Sequence, residues 1–200
     1  MGRTSNAKEK LLDTAMLLVR GGSYFSVSVD DLCLHADVRK GSFYHFFESK
    51  QHLLFAAVDA WWANLKHDVL QPEAAANKPP LERIRLFLEA AVNQNRKTTA
   101  SYGKVVGCPL GNLALELSTQ DEEIRQRLEA VFEEFSDYLA ACLTQAVEDG
   151  EIPPHPVAQT ARALIAQFYG TILLAKVHNN LEYFTDLPDR AMRLIPRTNA

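Results

Sequence analysis

The chain has 200 residues, 47% of them hydrophobic and 23% charged, a composition that excludes a disordered protein and allows a sizeable core. Its formal net charge is −4, so a nucleic-acid partner has to be argued from motifs and not from overall charge. No apolar run approaches the roughly 20 residues that span a bilayer, and the polar N-terminus lacks a signal-peptide stretch. These features predict a cytoplasmic protein without membrane contact.

The first part of the chain predicts three helices. Apolar residues recur at three- and four-residue spacing over residues 8–20, the period of a helix with one buried face. Ser28 is a candidate N-cap for a short helix over residues 29–36, and Asp37 stands where a turn would fall. A second short helix follows over residues 39–46. Two short helices joined by a tight turn, behind an amphipathic helix, indicate a helix-turn-helix unit.

The remainder of the chain also has helical periodicity and no strong strand signal. A short helix is expected to begin at Pro109, because proline is tolerated at the first helical position. Longer helices are expected over 50–69, 81–95, 121–148 and 157–178. The sequence therefore predicts an all-α fold, with a three-helix unit over residues 1–49 and a larger helical domain over residues 50–200.

The second short helix has a polar side suited to DNA. An α-helix fits the major groove, where arginine pairs with guanine and serine or histidine reaches base edges. Phosphate contacts would fix the register of the helix, and Tyr44 and Lys50 are placed for them. The candidate DNA-binding residues are Ser28, Arg39, Lys40, Gly41, Ser42, Tyr44, His45 and Lys50.

The run Lys40-Gly-Ser-Phe-Tyr-His-Phe-Phe47, followed by Ser49-Lys50, resembles the TetR family of transcriptional repressors. That resemblance implies that Tyr44 and Lys50 contact phosphates and that the surface of residues 39–45 reads bases. It also implies that Gly41 lets the helix lie close to the DNA backbone. Asp37 departs from the pattern, because the family usually has glycine there.

The resemblance further implies a homodimer that binds a palindromic operator in double-stranded DNA. The last long helix is apolar on more than one face, which suits pairing with a second copy. Burial of this helix within one chain is the alternative. The candidate interface residues are Phe168, Tyr169, Ile172 and Leu173.

The resemblance also implies a small-molecule effector bound among the central helices. Pockets between helices are mostly apolar with a few polar groups, and each residue that fits this description could equally be plain core. Besides Cys108, the effector candidates are Trp61, Trp62, Phe87, Asn112, Phe135 and Tyr138.

Cys108 is the most specific of these candidates. It lies just before the predicted helix that starts at Pro109, where the partial positive charge of the helix N-terminus favours a thiolate. The segment resembles a Gly-Cys-Leu stretch in a TetR branch that includes repressors responsive to N-ethylmaleimide and to acrylate. In the former, the matching cysteine senses electrophiles and oxidants. Two readings stay open for Cys108, a sensor or a packed helix cap, whereas Cys33 and Cys142 are expected to be structural.

No catalytic or metal-binding motif is found. The sequence contains no nucleophile elbow, no paired-histidine metal motif and no dinucleotide fingerprint, and its three cysteines form no CxxC pair. We therefore expect no enzyme, no metal and no cofactor. The favoured function is a ligand- or electrophile-responsive DNA-binding regulator, a repressor released by an inducer. The alternative is a helical interaction or scaffold module without DNA binding, which need not lose affinity steeply with salt.

Overall fold

The computed structural model describes residues 3–70, 75 and 77–197, and every regular element in these ranges is helical. The all-α prediction is confirmed. A π-helical turn, Lys66–Leu70, continues the fourth helix, and a 3-10 turn, Leu181–Phe184, precedes the last one. The α-helices are α1 (Arg3–Gly21), α2 (Val29–Ala36), α3 (Lys40–Phe46), α4 (Lys50–Leu65), α5 (Pro80–Tyr102), α6 (Pro109–Leu117), α7 (Glu122–Glu148), α8 (Val157–His178) and α9 (Leu187–Met192).

The chain forms two compact units, and neither is continuous in sequence. The first unit comprises Met1–Asn64 and Cys108–Leu128, and the second comprises Leu65–Gly107 and Glu129–Ala200. The expected division after residue 49 does not coincide with either boundary. The physical reason is the packing of α6 against α1, which brings a distant segment into the N-terminal unit.

Leucines form much of the core of the first unit. On α6, Leu110, Leu113 and Leu117 are each at most 1% exposed. α1 packs on α2, α3 and α6, and contributes the fully buried Leu11. Burial of such a side chain stabilises a fold by about 1.5–3 kcal/mol relative to leaving it in water. The three-helix motif is therefore built on a core that α6 helps to complete.

Several helix bounds match the sequence pattern and others differ for identifiable reasons. The bounds of α2 and α8 are as predicted. α5 continues to Tyr102, past the expected end at residue 95, because no glycine or proline interrupts it until Gly103, which has a φ of 68°. α4 ends at Leu65 and the expected last turn is π-helical, with wider hydrogen bonding than apolar periodicity can indicate.

The second unit packs α9 against α5 and α8. Arg85 Nη1 on α5 donates to Asp189 Oδ1 on α9 over 2.9 Å. Phe184 in the 3-10 turn is fully buried, as is Leu187 at the start of α9. The elements after residue 180 thus belong to the core of this unit. None of the helices in the described ranges has an apolar stretch long enough to cross a bilayer.

Candidate nucleic-acid interface

The helix-turn-helix starts with a reciprocal cap at the first turn of α2. The Asp31 amide donates to Ser28 Oγ over 3.1 Å, and the Ser28 amide donates to Asp31 Oδ2 over 2.8 Å. Hydrogen bonds from the Ser28 hydroxyl, and then from its amide, lower the pKa of Asp31. The predicted cap is confirmed, and it already engages the hydroxyl of Ser28, one of the candidate DNA-binding residues.

The turn between α2 and α3 is made by Asp37 in the left-handed conformation, with a φ of 51°. Its carboxylate is fully solvent-facing and lies 3.8 Å from Lys10 Nζ. Arg39 follows as the N-cap of α3 in extended backbone, so this helix begins one residue later than expected. Asp37 tolerates the left-handed conformation that the turn requires, which accounts for its standing in place of glycine.

α3 has one buried side and one open side. Phe43 is fully buried and packs against Phe47, with ring centroids 6.0 Å apart. Ser42 is half-buried. The exposed candidates on this helix and its cap are Arg39, Lys40, Gly41, Tyr44 and His45.

The open side of α3 borders a groove of about 730 Å³. One wall of this groove comes from α1 and the other from the turn and from α3. Its lining consists of Asn6, Ala7, Lys10, Asp37, Val38, Arg39, Gly41, Ser42, His45 and Phe46. Four of the sequence-predicted residues, Arg39, Gly41, Ser42 and His45, are therefore brought together on one concave surface.

Gly41 has no internal packing reason to be a glycine. A Cβ added at this position would meet no atom within 4 Å, and its φ lies outside the left-handed region. Glycine inside a helix costs about 1 kcal/mol relative to alanine, so the residue is unfavourable for the free protein. The described residues therefore give no reason within the protein for a glycine at this position.

The two basic residues that precede Gly41 differ in their surroundings. Lys40 Nζ pairs with Asp30 Oδ1 over 2.7 Å, and hydrogen bonding to this carboxylate raises the pKa of Lys40. Arg39 forms no ion pair with any residue that the structure describes, so its guanidinium is available to an external acceptor. Of the two, Arg39 is better placed for a base edge or a phosphate.

Lys50 is directed into the protein. Its ammonium donates to the carbonyls of Tyr24 and Val27 over 3.0 and 2.8 Å, and lies 4.1 Å from the centroid of the Tyr24 ring. Burial lowers the pKa of Lys50, and the nearby Glu116 carboxylate acts in the opposite direction. In this arrangement two of the three ammonium hydrogens serve the protein itself.

Sequence reasoning missed Glu116, a half-buried residue on α6. Its carboxylate accepts hydrogen bonds from the amides of Tyr24 and Phe25 over 3.1 and 3.4 Å, and from the hydroxyl of Ser23. No local sequence pattern could predict these contacts, because the partners are about 92 residues apart in the chain.

Cys108 is the N-cap of α6, with Pro109 at the first helical position, as predicted. Its side chain is half-buried, whereas Cys33 and Cys142 are buried, as expected for structural cysteines. One turn along α6, Asn112 donates to the carbonyl of Arg20 at the end of α1 over 3.4 Å. Both effector candidates on this segment thus belong to the unit that contains the helix-turn-helix.

The other effector candidates are divided between the units. Trp61, half-buried, and Trp62, buried, are on the part of α4 that belongs to the first unit. In the second unit, Phe87 meets Phe135 edge to face, with centroids 5.1 Å apart. Burial, and then the neighbouring Cys142, raises the pKa of Tyr138.

Arg83 on α5 adds a cation near Tyr138 and Cys142. Its positive charge opposes the increase that burial produces in the pKa of both groups. The Nε atom of Arg83 is buried and has no hydrogen-bond partner among the described residues. Within the described ranges, no group of acidic, histidine or cysteine side chains could hold a metal.

The expected dimer residues on α8 separate into two sets. Phe168 and Ile172 are 8% and 4% exposed and belong to the core of one chain, where Phe168 packs against Phe87 at 5.5 Å between centroids. The prediction that these two residues lie on the surface is therefore wrong. Leu173 is exposed and Tyr169 is half-exposed. Leu174 and Val177 extend this exposed apolar side of α8, at 47% and 69% exposure.

Comparison with known proteins completes the assignment. Residues 80–193 match the model described as "Tetracyclin repressor-like, C-terminal domain", and residues 11–57 match "Bacterial regulatory proteins, tetR family". The chain belongs to the TetR family. A TetR-family protein with this helix-turn-helix is a DNA-binding transcriptional regulator, which confirms the coarse prediction of function.

Relatives with known names are similar along most of their length. The chain is 30% identical to the transcriptional regulator AcuR of Cereibacter sphaeroides, covering 86% of this chain and 78% of that protein. It is 29% identical to the transcriptional repressor DhaR of Mycobacterium sp. (strain GP1), over 84% and 81%. The transcriptional repressor NemR of Escherichia coli K12 is 25% identical, over 88% and 87%.

Among solved structures, a regulatory protein TetR from Rhodobacter sphaeroides superposes with a TM-score of 0.82 at 27% identity, covering 94% of this chain and 98% of that one. The reduced form of E. coli NemR superposes with a TM-score of 0.80 at 24% identity, over 97% and 99%, and supports the fold. The finer resemblance around Cys108 stays a prediction.

Proposed function

We propose that this protein is a repressor that binds a palindromic operator as a homodimer and leaves it when a small molecule binds to or reacts with the protein. The observation that carries the DNA-binding part is the open side of α3. Gly41 faces empty space there, and the exposed Arg39 and His45 border the same groove. A helix of this kind enters the major groove, and DNA binding of this kind would place the protein in the cytoplasm.

Pairing through α8 is supported by its exposed apolar residues. Tyr169 packs against Phe132 of α7, with centroids 5.0 Å apart, beside the exposed Leu173 and Leu174. Contiguous exposed apolar surface marks an interaction site in a protein of this size. A second copy of the chain suits it, because two reading helices are needed to recognise two half-sites of a palindrome.

Release from DNA has two candidate triggers. The first is modification of Cys108, which begins a helix packed against α1 and would act directly on the unit that reads DNA. The second is a ligand in the second unit, with the Phe87 and Phe135 rings as an apolar wall and Arg83 and Tyr138 as polar contacts. The buried unpartnered Nε of Arg83 favours an effector with an acceptor group, such as a carboxylate.

The experiment is selection of genomic fragments by the purified protein over a range of salt concentrations, with and without N-ethylmaleimide. Enrichment of a palindromic site with steep salt dependence is expected. If treatment with the electrophile abolishes this enrichment for the wild type but not for Cys108→Ala, the trigger is the thiol. If only a carboxylate ligand abolishes the enrichment, and Arg83→Gln keeps it in the presence of that ligand, the trigger is ligand binding in the second unit. No enrichment at low salt would exclude the repressor and favour the scaffold alternative.

A further inference from the structure

The loop between α1 and α2, residues 22–28, has no regular structure of its own. Its internal hydrogen bonds are short turns, from the Ser26 amide to the Ser23 carbonyl over 3.2 Å and from the Val27 amide to the Tyr24 carbonyl over 3.3 Å. Only Tyr24 of this loop is buried. Its last residue, Ser28, caps α2, so the course of the loop sets where the helix-turn-helix begins.

Two oppositely charged side chains hold this loop. Lys50 of α4 donates to the carbonyls of Tyr24 and Val27, and Glu116 of α6 accepts from the amides of Tyr24 and Phe25. Tyr24 is therefore bound at its carbonyl by a cation and at its amide by an anion. Hydrogen bonds with one charged partner are about twice as strong as neutral ones, and here they replace the partners that a helix or strand would supply.

We propose that Lys50 and Glu116 are a positioning pair for DNA binding, which act by fixing the loop. The proposal rests on the proposed function, because it needs a DNA site to be measured. Three features support it: the two hydrogen bonds that Lys50 donates to loop carbonyls, the position of its ammonium 4.1 Å from the centroid of the Tyr24 ring, and the hydrogen bond that Glu116 accepts from the Phe25 amide of the same peptide unit.

The sign of the effect of Glu116 separates the proposal from simple electrostatics. An acidic residue in a DNA-binding unit repels the phosphate backbone, so its neutralisation alone would strengthen binding. The positioning role predicts the opposite, because Glu116→Gln loses the charge-assisted hydrogen bonds to the loop. We expect binding to the selected operator to weaken by roughly tenfold or more. Asp13→Asn removes an exposed acid from α1 in the same unit and is the matched control, with binding unchanged or slightly tighter.

Salt dependence tests Lys50. Each phosphate contact contributes about 0.9 to the slope of log affinity against log salt for duplex DNA. Lys50→Met keeps the aliphatic stem and removes the charge. Loss of one phosphate contact alone would give a loss of affinity that shrinks as the salt concentration rises, whereas the positioning role predicts a loss that persists at high salt. In the double variant Lys50→Met/Glu116→Gln, the loss of binding free energy should be smaller than the sum of the two single losses, because either change alone frees the loop.

Amide hydrogen exchange provides a readout that does not depend on DNA. In Glu116→Gln, and in the milder Ser23→Ala, the amides of Tyr24 and Phe25 should exchange faster while those of α3 keep their protection. The proposal is overturned if Glu116→Gln binds the operator as tightly as the wild type, or if the loss of affinity in Lys50→Met disappears at high salt. If the wild type selects no operator, the proposed function fails instead, and the exchange result still decides whether the pair holds the loop.

Discussion

Ser28 and Asp31 each hydrogen-bond the backbone of the other across the first turn of α2. This reciprocal arrangement leaves neither backbone amide without a partner at the point where the helix-turn-helix begins. We expect Ser28→Ala to lower the free energy of unfolding by about 1 kcal/mol, since it removes the cap of the Asp31 amide. Urea denaturation measures the loss. An unchanged midpoint would show that the cap does not stabilise the folded state.

The lowered pKa of Asp31 predicts a pH dependence of stability. Because the pKa is lower in the folded state than in the unfolded chain, the carboxylate stabilises the fold above about pH 4. This contribution is lost as the pH falls through the folded pKa. Asp31→Asn should therefore flatten the dependence of stability on pH below about pH 4. If the free energy of unfolding changes with pH in the same way for the variant and the wild type, the Asp31 carboxylate does not stabilise the folded state.

Gly41→Ala should move stability and DNA binding in opposite directions. The added methyl group meets no protein atom, so the helix gains up to about 1 kcal/mol in the free energy of unfolding. On DNA, the same group would meet the phosphate backbone or a base edge and weaken binding. Denaturation and operator binding are measured on one preparation. Since damage to the fold cannot raise stability, tighter or equal DNA binding would exclude close approach at Gly41.

The exposed side of α8 predicts the effect of a new charge on dimer formation. Leu174→Glu should yield monomers in sedimentation, because an unpaired carboxylate in an apolar interface carries a large desolvation cost. Leu115→Glu is the matched control: Leu115 lies on α6 and is 76% exposed, against 47% for Leu174. Dimers are expected to persist in the control. If Leu174→Glu still forms dimers, the dimer interface does not include this side of α8.

Exposure of the three cysteines predicts selective alkylation. Brief treatment with N-ethylmaleimide should add one maleimide group per chain, at Cys108, because Cys33 and Cys142 are buried at 7% and 2% exposure. Mass spectrometry of the intact protein and its peptides measures this. Cys108→Ser should acquire no adduct on the same timescale. A single adduct at another cysteine would contradict the proposal that modification of Cys108 is the trigger.

The sequence predicts those parts of the fold that depend on neighbouring residues. The caps at Ser28 and Cys108 and the turn at Asp37 follow from local chemistry, and all three are as expected. Periodicity identifies an apolar face but not what covers it. Phe168 and Ile172 were expected at a dimer surface for this reason, although α5 and α7 supply aromatic rings that pack against Phe168 within the chain.

Long-range polar contacts were beyond sequence reasoning. The partners of Lys50 are backbone carbonyls 26 and 23 residues away, so nothing in the residue types of the loop indicates them. Glu116 is one acidic residue on a short helix, and its contacts depend on the way α6 packs against α1. The candidate base-reading surface could be predicted because a local motif defines it. The residues that hold this surface in place could not.

The inclusion of α6 in the first unit also affects how the protein can be divided. An N-terminal fragment that ends at Asn64 would lack Leu110, Leu113 and Leu117, whose burial helps to form its core. The DNA-reading part would then present a large apolar surface to water and associate or unfold. Proteolytic cleavage or a chain-terminating mutation before α6 would therefore leave a DNA-reading part that does not fold on its own, because its core needs the chain at least through α6.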